Sequence, residues 1–125
     1  MEEKLYTRLG LEPESRVLDA GAGSGYVAIY MARKGLNVQA IDITPHHLAD
    51  ARKNIKKHNL EAKITIEYGD YHNISYPDEY FHGIYTMETF VHADDPAKVL
   101  RNFYRYVFRA RLPPNPQLLA VLETH

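Results

Sequence analysis

Val17-Leu18-Asp19-Ala20-Gly21-Ala22-Gly23-Ser24-Gly25 decides the fold. An apolar run halts at a carboxylate, glycines follow at alternate positions, and a helix-prone stretch opens with Tyr26. The pattern reads as a buried strand breaking into a small turn that feeds a helix. Without Cβ atoms in the way, a ligand can lie almost against the backbone there.

Upstream, residues 4–9 place Leu5, Tyr6 and Leu9 at helical spacing, and Gly10 stops the helix. Pro13 and Ser15 mark a turn, and the strand is expected over 16–19, its Val17 and Leu18 typical of a buried parallel strand. Downstream, a helix is expected over 26–34, burying Val27, Tyr30 and Met31 and closed by Gly35. A second strand over 37–43 again meets a carboxylate, Asp42. Thr44-Pro45 then supplies an N-cap and a proline at the first helical position. Leu48, Ala51 and Ile55 form that helix's apolar stripe, and Asp50, Arg52, Lys53 and Lys57 its outer face.

A third strand is expected over 63–67, alternating Ile64 and Ile66 and ending at Gly69-Asp70. A polar loop containing Pro77 leads to a fourth over 80–85. Asp95-Pro96 opens a helix with Val99, Leu100, Phe103 and Val107 on one face. Pro113, Pro114 and Pro116 interrupt the chain before an apolar fifth strand over 118–122. Strands alternating with helices imply an α/β fold, a parallel sheet covered on both faces through right-handed crossovers. Ligands of such sheets sit at the carboxyl ends of the strands, where Asp19, Asp42, Asp70 and Glu88 all fall.

Composition narrows the function. At 125 residues the expectation is one domain spanning 1–125, and 45% hydrophobic residues suffice for a packed core. With 15 basic and 16 acidic residues interspersed, the chain lacks the basic face of a nucleic-acid binder. The absence of cysteine excludes a disulfide scaffold and a thiolate metal site. No metal site is expected, since His46-His47 has no third ligand spaced for it and reads as surface. A polar start, Met1-Glu2-Glu3-Lys4, and no apolar run near the ~20 residues that span a bilayer make a soluble, cytoplasmic domain the expectation.

Two ligands compete for the glycine turn. A dinucleotide asks for glycine, one residue, glycine, two residues, glycine. Here the third glycine comes one residue early, Tyr26 takes its place, and Asp19 would repel a pyrophosphate. The 21-residue step from Gly21 to Asp42 suits a ribose-binding carboxylate under either ligand. S-adenosylmethionine carries no phosphate. Asp19 suits its cationic amino-acid end, directly or through water, and free amides of the turn and helix start suit its carboxylate. Asp42 can accept from both ribose hydroxyls and Asp70 from the adenine amino group.

Asp19-Ala20-Gly21-Ala22-Gly23-Ser24-Gly25 resembles the first motif of class I S-adenosylmethionine-dependent methyltransferases. Asp42, Gly69-Asp70 and Phe81-His82-Gly83-Ile84-Tyr85 resemble the later motifs in order and spacing, so that the likeness covers about residues 5–106. Met87-Glu88-Thr89-Phe90-Val91-His92-Ala93 is similar to the segment after the fourth strand in the sterol 24-C-methyltransferase-like branch and related fungal small-molecule enzymes. The resemblance implies a three-layer Rossmann-like sheet, S-adenosylmethionine as cofactor, and methyl transfer to a small, lipophilic acceptor. It implies that Asp19, Gly21 and Gly23 line the methionine part, Asp42 the ribose, and Ile43, Asp70 and Tyr71 the adenine, with Ala20 and Met87 also among the cofactor-binding residues.

Methyl transfer is an in-line displacement, so the protein mainly positions the acceptor and excludes water. Glu88 and His92, four residues apart beyond the fourth strand, are the candidates for a proton transfer or for stabilising a developing cation. The likeness fails at two places. His82 stands where the family commonly has aspartate, and 107–125 lacks the family's glycine turn and its last two strands, which form an antiparallel edge. A truncated domain is therefore expected, with 118–122 an exposed edge through which two copies pair. The alternatives are a remnant or dimerising fragment that binds cofactor without turnover, and a nicotinamide dehydrogenase.

Overall fold

Each strand begins where a polar residue gives way to aliphatics and ends where the chain must turn towards solvent. The computed structural model describes residues 2–70, 73–86 and 96–106. Its elements are α1 (Glu2–Leu9), β1 (Arg16–Ala20), α2 (Tyr26–Arg33), β2 (Asn37–Asp42), α3 (Pro45–Lys57), β3 (Ile64–Tyr68), β4 (Gly83–Tyr85) and α4 (Pro96–Tyr106). The sheet is parallel throughout, in the order β3-β2-β1-β4. Register brings Val17 opposite Val38 and Gly83, and Val38 opposite Ile64. The alternating βα pattern thus gives a Rossmann-like α/β fold.

The core joins this sheet to Leu5 and Leu9 of α1, Leu48, Ala51 and Ile55 of α3, and Val99, Phe103 and Tyr106 of α4. α2 does not bury the expected face. Ala28, Ile29, Met31 and Ala32 are buried, while Val27 and Tyr30 are only half-buried at the rim. Alanines four residues apart let a helix lie close to a sheet, so the small residues go inward and the larger ones to the edge.

Strand ends moved by a residue or two: β1 reaches Ala20, β2 stops at Asp42, and β3 runs one residue later than expected. β4 is cut to three residues for a physical reason. The amides of Glu79 and Phe81 donate to the last carbonyls of α4, those of Arg105 and Tyr106, at 2.9 and 2.8 Å. Carbonyls that a helix end leaves without partners are thereby satisfied at the expense of the strand. His82 then forms a reciprocal pair with Arg16, donating its amide to the Arg16 carbonyl at 2.8 Å and accepting the Arg16 amide on Nδ1 at 3.0 Å. The ring nitrogen therefore acts as an acceptor towards the β1 backbone. Val107 and the fifth strand over 118–122 lie outside the described residues. No helix among those described is long and apolar enough to cross a membrane.

Candidate cofactor site

The glycine turn is tied to β2 by its own amides. Gly21, Gly23 and Gly25 adopt φ of 90°, 58° and 88°, a left-handed region costly to any residue with a Cβ. The Gly21 and Ala22 amides both donate to the Ile41 carbonyl at 2.9 Å, Gly23 donates to Asp42 Oδ2 at 2.7 Å, and Gly25 to the Ala22 carbonyl at 3.0 Å. The expectation of free turn amides is therefore corrected: these four hold the turn in place. The glycines also differ in purpose. A Cβ on Gly23 would meet nothing within 4 Å, whereas one on Gly25 would come within 3.3 Å of Ala51 Cβ on α3. Gly23 borders open space; Gly25 lets two helices approach.

Asp42 stands at the centre, 4% exposed. Its Oδ2 accepts from Gly23, and Oδ1 accepts from the Thr44 amide at 2.9 Å and faces His47 Nδ1 at 3.2 Å. Burial pushes this carboxyl up, but the amides of Thr44 and Gly23 and the His47 ring outweigh it and hold the group below its ordinary value. His46 and His47 were both expected at the surface. His46 is so placed and pairs with Asp50 at 3.3 Å, but His47 reaches back to Asp42. Its position on the first turn after Pro45, five residues past the carboxylate, was the available signal.

Asp19 lies deeper, 1% exposed beneath the turn, where Oδ2 accepts from the Tyr85 hydroxyl at 2.8 Å. Burial and the neighbouring charge push the Tyr85 hydroxyl well above its ordinary range, so it remains a donor. Sequence reading missed Tyr85 because the pairing depends on β1–β4 register, which sets the two residues opposite each other. Ala20 is fully buried, which leaves only its backbone near the turn. Asp70 is half-buried just past β3. Around the same strand ends, Tyr26, Ile43 and Tyr68 expose 65%, 53% and 67% of their surface. Tyr68 was not among the expected residues. Tyr71, Met87, Glu88 and His92 lie outside the described residues.

A cleft of about 150 Å³ occupies the opposite end of the sheet, lined by Arg16, Asn37, Gln39 and Lys63 among others. Its polar groups are already engaged: Lys63 with Glu14 at 2.7 Å, Gln39 with Glu67 at 2.6 Å, and Arg16 with the Tyr80 carbonyl at 2.8 Å. The strands' carboxyl ends remain the candidate site.

Residues 17–109 match the family model described as a methyltransferase domain. The chain is 40% identical over 107 residues to the S-adenosyl-L-methionine-dependent Diels-Alderase iccD of Talaromyces variabilis, covering 84% of this chain and 37% of that protein. It is 30% identical over 113 residues to the sterol 24-C-methyltransferase erg6 of Schizosaccharomyces pombe, covering 90% and 29%. A solved structure described as an S-adenosyl-L-methionine-dependent methyltransferase from Methanococcus maripaludis superposes with a TM-score of 0.76 at 31% identity, over 85% of this chain and 48% of that one. The chain thus spans about a third of the length of these two curated relatives.

Proposed function

The chain belongs to the class I S-adenosylmethionine-dependent methyltransferases, and from that premise we propose that it binds the cofactor across β1, β2 and β3 and transfers its methyl group to a small, lipophilic acceptor. The observation that carries the reading is Asp42, a buried carboxylate held ionised at the carboxyl end of β2 beside the glycine turn. Such a group suits ribose hydroxyls, because an ionised carboxylate accepts and never donates. Open space at Gly23 and the exposed apolar surfaces of Ile43 and Tyr68 support the fit, the latter two beside an adenine.

When bound, S-adenosylmethionine supplies a methyl group activated by its sulfonium. The chain's own work is positional. In this proposal Gly21 and Gly23 border the methionine part, with Ala20 and Met87 next to it. The first amides of α2, at Tyr26 and Val27, face its carboxylate in place of the engaged turn amides. Asp19 acts from beneath through its charge, oriented by the Tyr85 hydroxyl. Asp70 and Tyr71 complete the adenine side. Glu88 and His92 are assigned to hold the proton of any acceptor that must lose one.

Titration calorimetry with S-adenosylhomocysteine tests the reading. Asp42→Ala is expected to bind about tenfold more weakly or worse, as one hydrogen bond to a charged acceptor is worth ~1.5 kcal/mol. Folded Asp42→Ala protein that binds like the wild type overturns it.

A second reading, cofactor binding without methyl transfer, is favoured by the likeness to a Diels-Alderase. Incubation with labelled S-adenosylmethionine and a panel of lipophilic acceptors separates the two. Label appearing in an acceptor supports methyl transfer; conversion of an acceptor with all label retained in S-adenosylmethionine supports the second.

A further inference from the structure

Asp42 has fewer acceptor positions left than a ribose diol needs. An ionised carboxylate offers about four lone-pair positions, two on each oxygen. Oδ2 takes the Gly23 amide at 2.7 Å, and Oδ1 takes the Thr44 amide at 2.9 Å and faces His47 Nδ1 at 3.2 Å. Because a carboxylate cannot donate, the proton in this last contact sits on Nδ1 of the ring. Among the described residues, three positions are then in use and one, on Oδ2, is left. Two of the three donors are main-chain groups fixed in the turn and the start of α3. His47 differs, since its side chain is 43% exposed on the helix's first turn and can swing away.

We propose that His47 is an internal competitor of the ribose: its imidazole holds the second acceptor position of Asp42 until a cis-diol displaces it, and so sets how strongly the site distinguishes ribose from deoxyribose. This rests on Asp42 being the ribose acceptor. His47 is thus a positioning residue, acting only through Asp42. Displacing the ring costs one hydrogen bond and the second hydroxyl restores one, so the two nearly cancel. The adjacent His46 is no substitute, being engaged with Asp50 at 3.3 Å.

The test uses the full chain, with S-adenosylhomocysteine and its 2′-deoxy and 3′-deoxy analogues titrated into wild type, His47→Ala and His47→Gln. His47→Ala is expected to bind S-adenosylhomocysteine about fivefold more tightly, the equivalent of one net hydrogen bond of ~1 kcal/mol. Wild type is expected to lose less than about twofold on removal of one hydroxyl, because the ring retakes the position, whereas His47→Ala loses about fivefold. His47→Gln keeps a donor and is expected to discriminate like the wild type. A merely structural role for His47 would leave the ribose-to-deoxyribose ratio unchanged. Equal ratios in wild type and His47→Ala, or weaker binding by folded His47→Ala, overturn the proposal. If Asp42→Ala loses binding while His47→Ala changes nothing, this inference alone falls; if Asp42→Ala binds normally, the ribose reading falls with it.

Discussion

Burial by itself would raise the Asp42 carboxyl above its ordinary value, yet two amides and an imidazole reverse that preference. Its folded pKa therefore lies below the ~3.9 of an unfolded aspartate, and the unfolded chain takes up the proton first. The stability Asp42 contributes is complete above about pH 4 and disappears as pH falls through the folded value. Denaturant midpoints measured between neutral pH and about pH 2.5 are expected to fall more steeply for wild type than for Asp42→Asn. Parallel slopes would mean that the amides do not favour the charge. Asp42 was legible in the sequence because it ends an apolar run just before a proline-started helix, all local signals. The burial of Asp19 was not, because its partner Tyr85 is 66 residues away and meets it only through strand register. His47 and His82 were misjudged or left open for the same reason, since each acts on a group that only the fold brings near.

Between elements, a close tolerance lies where the glycine turn passes α3. Gly25 combines a φ of 88° with an added-Cβ distance of 3.3 Å to Ala51 Cβ. Gly25→Ala is expected to destabilise the protein by ~2 kcal/mol, of which ~1 kcal/mol or more is the left-handed backbone. Chemical denaturation of Gly25→Ala in an Ala51→Gly background separates the two. Removing the Ala51 Cβ relieves the contact but not the backbone, so recovery beyond the direct effect of Ala51→Gly is expected to be partial; full recovery would show that crowding alone was at issue. Helices were legible from their apolar spacing and stops, α3 most clearly through Thr44-Pro45 and the Leu48, Ala51, Ile55 stripe. The buried face of α2 was not, because apolar size pointed to Val27 and Tyr30 while close approach to the sheet selected Ala28 and Ala32. The shortening of β4 was equally hidden, since it follows from the needs of a helix end some 25 residues later.

For the molecule as a whole, the proposed binding at the strand ends would link β1, the turn, β2 and β3, and so act on global unfolding. S-adenosylhomocysteine at 100 times its dissociation constant is expected to add ~2.7 kcal/mol to wild-type stability. For a chain of this size that raises the melting midpoint by roughly 10 °C, read by scanning calorimetry. An equal rise in Asp42→Ala at the same ligand concentration would place the ligand elsewhere. The parallel sheet was readable in outline because each βα unit repeats one local grammar of apolar run, turn and amphipathic helix. Which amides would be spent inside the turn was not, because that depends on how β1 and β2 lie side by side. The Ile41 carbonyl, accepting two turn amides at once, has a thermodynamic consequence. A loop already ordered by its neighbouring strand has little conformational entropy left to lose on association, so more of each ligand contact survives as affinity.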